Sequence, residues 1–367
     1  MRGTIGVLML SAAVFAVAGE TDWAAMEYTP HFAYQAVDGQ GFGTFPLNAP
    51  VKLRGVLLNR GADLLDPTPD LPSFLGGQWQ VFVQASGDAD QGGTALFMAQ
   101  RYSDLPFVPP GNSYTAEEWL AELHRLMHDP ATGHPFAPGD LVEVRARAPG
   151  LFFRGKTNVN EVHRKTPATD FDIVLLQAGF GRSVTDVPLS FVKDAADQFI
   201  FDPQRLTGCE WLQGTLVRFR DVTFVSTAGW APNATLTVQD GTGRTFPVRL
   251  GRGAGLATCP APVGPVTLVG IFDQEDDTPA DGWRGGYRLW VPAYAGYVVP
   301  SAAAIPGDVN CDGVVGFDDI GPLVLALGGP EGYLTQYPCC PHTNADCNGD
   351  GAVDFDDIDA FVALLGS

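Results

Sequence analysis

Between residues 51 and 300 the apolar positions fall in short alternating runs, broken by Gly, Pro and Asp-Gly turns, which is the pattern of strands. Residues 51–58 (VKLRGVLL), 79–85 (WQVFVQA) and 95–100 predict three strands, 116–127 a helix, and 141–148 and 157–163 two more strands. A second set of five follows: 215–226 (TLVRFRDVTFVS), 234–239 running into an Asp240-Gly241 turn, 245–250, 266–272 and 286–292. Beyond residue 307 the period changes. Ile320, Leu323, Val324 and Leu327 stand at i, i+3, i+4 and i+7, and Ile358, Phe361, Val362 and Leu365 repeat the stripe, so two short helices are expected to stack into a small core. At the other end, residues 5–15 form an apolar run behind Met1-Arg2 and ahead of Ala16-Val17-Ala18. This is the layout of an export signal cut after Ala18. The run is too short to cross ~30 Å of hydrocarbon, and no other stretch approaches a spanning helix. The expectation is a mature chain without a membrane span, secreted to the extracellular space or the cell surface.

Composition sharpens this. Hydrophobic residues are 45% of 367 positions, which excludes wholesale disorder, and 44 Gly with 29 Pro in no triplet period exclude collagen. The formal charge of -20, from 42 acids against 22 bases, argues against nucleic acid as a partner. The charge is uneven. Residues 307–367 hold ten Asp, one Glu and no Lys or Arg, so those acids need a counter-charge of their own. Six cysteines in an oxidising compartment predict disulfides. Cys209 and Cys259 lie in the middle of the chain, whereas Cys311, Cys339, Cys340 and Cys347 lie in the acidic tail, and pairing within each region is expected. Three connectivities stay open in the tail. A zinc site is disfavoured because adjacent Cys339-Cys340 lacks ligand spacing.

The acidic tail carries one twelve-residue pattern twice. Asp308, Asn310, Asp312 and Asp319 occupy positions 1, 3, 5 and 12 of the first copy; Asp346, Asn348, Asp350 and Asp357 occupy them in the second. Gly313 and Gly351 at position 6 permit a sharp turn, and the carbonyls of Val314 and Ala352 at position 7 add a backbone oxygen. Hard oxygens in this order suit Ca2+, one ion per loop, and the closing carboxylate opens the following helix. Val315 and Val353 at position 8 are expected to pair the loops through a short β contact. On these residues the segment from 307 resembles a type I dockerin: two EF-hand-like loops, each with only its exiting helix. The resemblance implies calcium-dependent folding and docking to a cohesin-like or cell-surface protein, often in assemblies for polysaccharide catabolism. Positions 10 and 11, often small hydroxyl pairs in that family, are Phe317-Asp318 and Phe355-Asp356 here. Disulfides from Cys311 and Cys347 are expected to staple the inter-loop segment onto the loops.

In the body, five strands with a helix between the third and fourth is the order of an OB-fold. The second set also resembles secreted bacterial OB-like modules, through its GTLVRFRDVTF strand (214–224), TVQDGTG hairpin (237–243), GIFDQ (270–274) and GGYRL (285–289). Such folds bind oligosaccharides or oligonucleotides on strands two and three. Arg218, Arg220, Arg244, Arg249 and Arg252 with Phe219, Trp230 and Phe246 are candidates for the nucleic-acid case, and Trp230, Trp283 and Trp290 for stacking on carbohydrate. Core packing is the plainer use of these rings. His124, His128 and His134, with Asp129, have zinc-compatible spacing, but a polar helix face explains them as well. No G-x-S-x-G or H-E-x-x-H occurs, and catalytic residues are unknown. The expected fold class is mainly β: a signal peptide (1–18), a first OB-like β-barrel domain with an inserted helix (19–185), a second (186–300), and a small α-helical dockerin-like EF-hand domain (301–367). The expected function is a secreted, non-catalytic calcium-binding adaptor whose barrels take carbohydrate or another ligand. The competing expectations are an extracellular hydrolase acting on polysaccharide and a secreted nucleic-acid-binding accessory protein.

Overall fold

The structure is a computed structural model that describes residues 21–365, apart from 48, 88, 149, 279–281 and 301–304. The expected export signal, 1–18, lies outside the described residues. Helix α1 (His31–Tyr34) leads into β1 (Val51–Leu57), β2 (Gln78–Ala85) and β3 (Gly93–Ala99). Helix α2 (Ala116–Met127) follows, then β4 (Leu141–Ala146), a hairpin of β5 (Leu151–Phe153) and β6 (Lys156–Asn158), and β7 (Phe171–Gln177). One antiparallel sheet runs in the order β3-β2-β1-β4-β7, and its end strands β3 and β7 do not pair, so among the described residues this unit is an open sheet and not the closed barrel expected from its strand count. Period-two alternation sends Val51, Leu53, Leu57, Val81, Val144 and Ile173 into a common core. Helix α2 packs Trp119, Leu123 and Leu126 onto that core. Its start is fixed by a reciprocal cap: the Glu118 amide donates to the Thr115 hydroxyl (3.2 Å), and the Thr115 amide to the Glu118 carboxylate (2.8 Å).

The fifth strand of this sheet is not 157–163. Only Lys156–Asn158 of that region is a strand, and it pairs within its own hairpin. The remainder touches the sheet through one parallel bridge, Leu96 to Val159. Asn160 and Glu161 are buried there and Val162 turns to φ 54°, which no continuous strand allows. The sheet is completed instead by FDIVLLQ, whose Phe171 and Ile173 alternate inward.

The second unit contains β8 (Thr185–Asp186), α3 (Leu189–Val192), α4 (Gly208–Leu212), β9 (Leu216–Phe224), β10 (Thr235–Gln239), β11 (Thr245–Leu250), β12 (Pro265–Gln274), β13 (Tyr287–Val291) and β14 (Val298–Pro300). All five expected strands are present. Because β12 pairs with both β13 and β9, the ladder β9-β10-β11-β13-β12-β9 closes into a five-stranded barrel. Val217, Phe219, Phe246, Val248, Phe272 and Leu289 fill its interior.

The two units share a dry interface. Leu58, Leu64, Phe82 and Ala95 of the first pack against Leu216, Val269, Ile271 and Trp290 of the second. At its edge the Gly93 amide donates to the Gln213 carbonyl (2.9 Å). A Cβ on Gly214, whose φ is 78°, would lie 2.4 Å from the Gly93 backbone, so this close approach needs glycine. Buried Lys156 reaches across the interface to buried Asp273.

The C-terminal unit contains α5 (Ile320–Leu327), α6 (Pro330–Gln336) and α7 (Asp357–Leu364) around Val309, Leu323, Ala326, Tyr333 and Phe361. Pairing of cysteines within regions holds only for Cys311–Cys340, which staples the inter-loop segment onto the first loop as expected; it fails for Cys209, Cys259, Cys339 and Cys347. Cys259 of the barrel bonds to Cys339, and Cys311 to Cys340, while Cys209 and Cys347 are free thiols. The reason is placement. Cys209 lies on α4 inside the barrel core, whereas the turn after α6 lies against the barrel around Gly255 and Tyr294, bringing the Cys259 and Cys339 Cα atoms to 5.4 Å. Adjacent cysteines thereby serve two different partners. Arg60 of the first unit also pairs with Glu331 of α6.

Candidate metal centre

The two acidic loops fold alike because each short polar side chain caps an amide further along its own turn. In the first, the Asp308 carboxylate accepts from the amides of Asp312 and Gly313 (3.1 Å each), Asn310 Oδ1 from Asp312 (2.8 Å), and Asp312 Oδ1 from Val314 (2.9 Å). Asp319 closes the loop: Oδ1 accepts from Val309 and Asn310 (2.7 and 2.8 Å), and Oδ2 from Gly316 (2.8 Å). In the second, Asp346 accepts from Gly349 and Gly351 (2.8 and 3.0 Å), Asn348 from Asp350 (2.8 Å), and Asp350 from Ala352 (2.9 Å). Asp357 accepts from Cys347 and Asn348 through Oδ1 (2.7 and 3.1 Å), and from Asp354 through Oδ2 (2.9 Å). Gly313 and Gly351 at position 6 have φ of 94° and 91°, the left-handed turn that the sequence pattern requires.

Each loop therefore presents three carboxylates, one amide oxygen and the carbonyl of Val314 or Ala352, an all-oxygen donor set of the kind a hard divalent cation takes. Asp308 is almost fully buried. Burial pushes its carboxyl above the usual range, the amides of Gly313 and Asp312 oppose this, and the Asp319 and Asp312 charges push the same way. A cation between these groups would relieve that repulsion. Among the described residues no three His, Cys, Asp or Glu side chains are already drawn together around one point; the loop carboxylates lie on backbone amides. Val315 and Val353 pack in the same small core without a β bridge among the described residues, so the expected β contact is absent.

The helices after the loops form as expected, but half of each apolar stripe faces out. Leu323 and Phe361 are buried, whereas Ile320, Val324, Ile358 and Val362 are exposed. With Val314, Phe317 (81% exposed) and Phe355 (75% exposed), they leave equivalent apolar positions of both repeats open to solvent. Helix α6 was not anticipated. Its signal was Gly329-Pro330, a proline at the first helical position. Tyr333 on it is wholly buried and donates to the Val309 carbonyl (2.7 Å).

The other candidates disperse. His124 and His128 stack at 4.1 Å, while His134 pairs with Asp140 (2.9 Å), and Asp129 caps the Thr132 and Leu175 amides; the three histidines do not share a metal point. Arg218 and Arg220 pair with Asp186, Arg244 with the Lys193 and Asp194 carbonyls, Arg249 with Thr235, and Arg252 with Asp66. Phe219, Phe246 and Trp290 are buried, Trp230 packs on Phe224 and Tyr294, and Trp283 on Phe42 and Phe152.

One perturbed acid had no sequence signal. Glu161 is 1% exposed and accepts from Tyr114 (2.6 Å); its Oε1 has no partner. Burial first, opposed by the Tyr114 hydrogen bond and helped by Asp170 and Glu122, pushes it up to about 8. Its burial keeps substrate away, so the group is a stability element. Its folded-state pKa lies above the unfolded value, so its contribution is full below about pH 4.5 and is lost as pH rises towards 8. Glu161→Gln is expected to flatten that loss and raise stability at pH 8 by on the order of 3 kcal/mol. Urea unfolding at pH 5 and 8 checks this; equal pH dependence in both proteins contradicts it. Comparison with known proteins gives no matching family model and no matching curated protein.

Proposed function

We propose that this chain is an exported, non-catalytic adaptor whose C-terminal dockerin-like module takes two Ca2+ ions and docks onto a partner protein through the apolar positions its two repeats leave open. The observation that carries this is the doubled loop, with one donor set and nearly the same internal hydrogen bonds in both copies. Asp308, Asn310, Asp312, Asp319 and the Val314 carbonyl hold one ion; Asp346, Asn348, Asp350, Asp357 and the Ala352 carbonyl hold the other. Bound Ca2+ supplies positive charge that draws these oxygens inward. The partner face is apolar with a basic rim, because Phe317, Ile320, Val324, Phe355, Ile358 and Val362 stand among carboxylates on a segment without Lys or Arg.

The second body unit is read as an OB-like barrel and the first as an open OB-like sheet. The outward side of β2 and β3 in the first, around Phe82 and Ala95, is spent on the interface with the second. A carbohydrate ligand therefore belongs on the second barrel, where Thr235, Thr237 and Gln239 of β10 lie beside Thr245 and Arg249 of β11. The test is capture of exported proteins on the immobilised full chain. A partner is expected to be retained in Ca2+, released by chelator, and lost with Phe317→Asp plus Phe355→Asp. Retention indifferent to both, or turnover of a polysaccharide, overturns the reading.

A further inference from the structure

The two loops share a backbone but differ in what holds it. Position 4 is left-handed in both: Gly349 at φ 75° in the second, Cys311 at φ 59° in the first. Glycine takes that conformation freely, whereas cysteine is strained there. The cysteine brings the first loop a covalent tie to Cys340, 29 residues away in sequence. Two further ties act on its opening turn. Tyr333 donates to the Val309 carbonyl (2.7 Å), and Asn344 to the Asp308 carbonyl (2.8 Å). Cys339, next to Cys340, is bonded to Cys259, so the first loop is anchored through consecutive residues to the barrel. In the second loop Cys347 is a free thiol, and among the described residues no side-chain donor reaches the Asp346 or Cys347 carbonyl. Asp308 is buried, whereas Asp346 is only half-buried.

We propose that Cys311–Cys340, Tyr333 and Asn344 are positioning residues that hold the first loop ready for its cation, so that the two calcium sites are unequal and the first fills before the second. The inference rests on the calcium reading above. Its physical basis is when the ordering cost falls. The disulfide narrows the first loop's freedom even in the calcium-free chain, and the buried hydrogen bonds offset part of the ordering cost when the ion binds, whereas the untied loop meets the whole of that cost on binding, and its apparent affinity drops accordingly.

Calcium titration of the full oxidised chain, by calorimetry and by competition with an indicator dye, tests this. Two classes of site about ten-fold or more apart are expected; Asp312→Ala removes the tighter and Asp350→Ala the weaker. Cys311→Ser with Cys340→Ser weakens the tighter site by about ten-fold or more and moves the other by less than about two-fold. Tyr333→Phe keeps the ring and removes only the hydroxyl, so it remains informative if the cysteine variant misfolds. It is expected to weaken the same site by roughly three- to ten-fold. Equal sites in the unaltered chain, a tighter site that disappears with Asp350→Ala, or a tighter site unmoved by Tyr333→Phe overturns the inference and leaves two-site binding standing. No calcium uptake at all overturns the calcium reading itself.

Discussion

Chelating calcium from the full chain is expected to unfold residues 305–365 while both β units stay folded, so that amide protection is lost in α5, α6 and α7 and kept in β1–β4 and β9–β13. The module's apolar core consists of a few side chains around Val309, Leu323, Tyr333 and Phe361. A unit of about sixty residues with so little to bury is marginal without metal or disulfides. Its two crosslinks narrow the unfolded ensemble but leave the loops' carboxylates clustered without a counter-ion. At a free calcium concentration about 1,000-fold above the dissociation constant, each site contributes roughly 4 kcal/mol to the folded state, so two sites exceed what the core alone supplies. Asp312→Ala with Asp350→Ala is expected to reproduce chelation in the presence of calcium, since each removes a charged ligand from one loop. Hydrogen exchange followed by mass spectrometry reads both arms. Equal protection of the module with and without chelator would sink the prediction and leave the repeated carboxylates as a solvated surface.

What the sequence makes legible is what depends on local chemistry. Asp at 1, Asn at 3, Gly at 6 and Asp at 12 write out a turn, and the turn forms in both copies with nearly the same hydrogen bonds. Thr115 and Glu118 write out a helix start, and α2 begins there. The alternation in 245–250 and 266–272 reads as strand because each strand has one face in the barrel core. The misplaced features depend on long-range contact. Residues 157–163 carry β-prone Thr and Val, but the strand is broken where Glu161 is buried and the backbone turns at Val162 and His163. The Cys259–Cys339 bond spans 80 residues and requires the module to lie on the barrel, which no local pattern records. Ile320, Val324, Ile358 and Val362 fit a helix stripe perfectly well, yet periodicity identifies an apolar face without saying whether this chain or another protein covers it.

Asp273→Ala is expected to destabilise the pair of β units by about 3 kcal/mol and to split one unfolding transition into two. Asp273 is fully buried on β12, Lys156 on β6 of the other unit is 3% exposed, and the two meet at 2.5 Å. Arg288 joins from β13, 2.7 Å from Asp273 and 3.0 Å from Glu275. Burial works against the Arg288 charge, but Asp273 and Glu275 outweigh it and hold its pKa above the usual value. Burial also works against ionised Glu275, but Lys156 and Arg288 outweigh it and hold its pKa down to about 2. Glu275 and Arg288 are thus each held in the charged form by neighbours of opposite sign, in a cluster whose Lys156 and Asp273 side chains are shut away from solvent. Removing one member of such a cluster leaves its partners charged and desolvated, which costs about 3–5 kcal/mol in comparable buried pairs. Glu275 keeps a longer contact to Lys156 (3.6 Å) and its bond to Arg288, which places the loss at the lower end. Replacing both ends with apolar side chains of similar size, Lys156→Met with Asp273→Leu, is expected to cost clearly less than Asp273→Ala alone, because no bare charge remains between those two. The cluster borders the apolar contact of Phe82 and Ala95 with Ile271 and Trp290, so water drawn to an unpaired Lys156 weakens that contact and uncouples the units. Urea unfolding followed by tryptophan fluorescence separates the outcomes. A loss under about 1 kcal/mol with a single unchanged transition would mean the apolar contact alone holds the two units together, with the buried charges contributing nothing net.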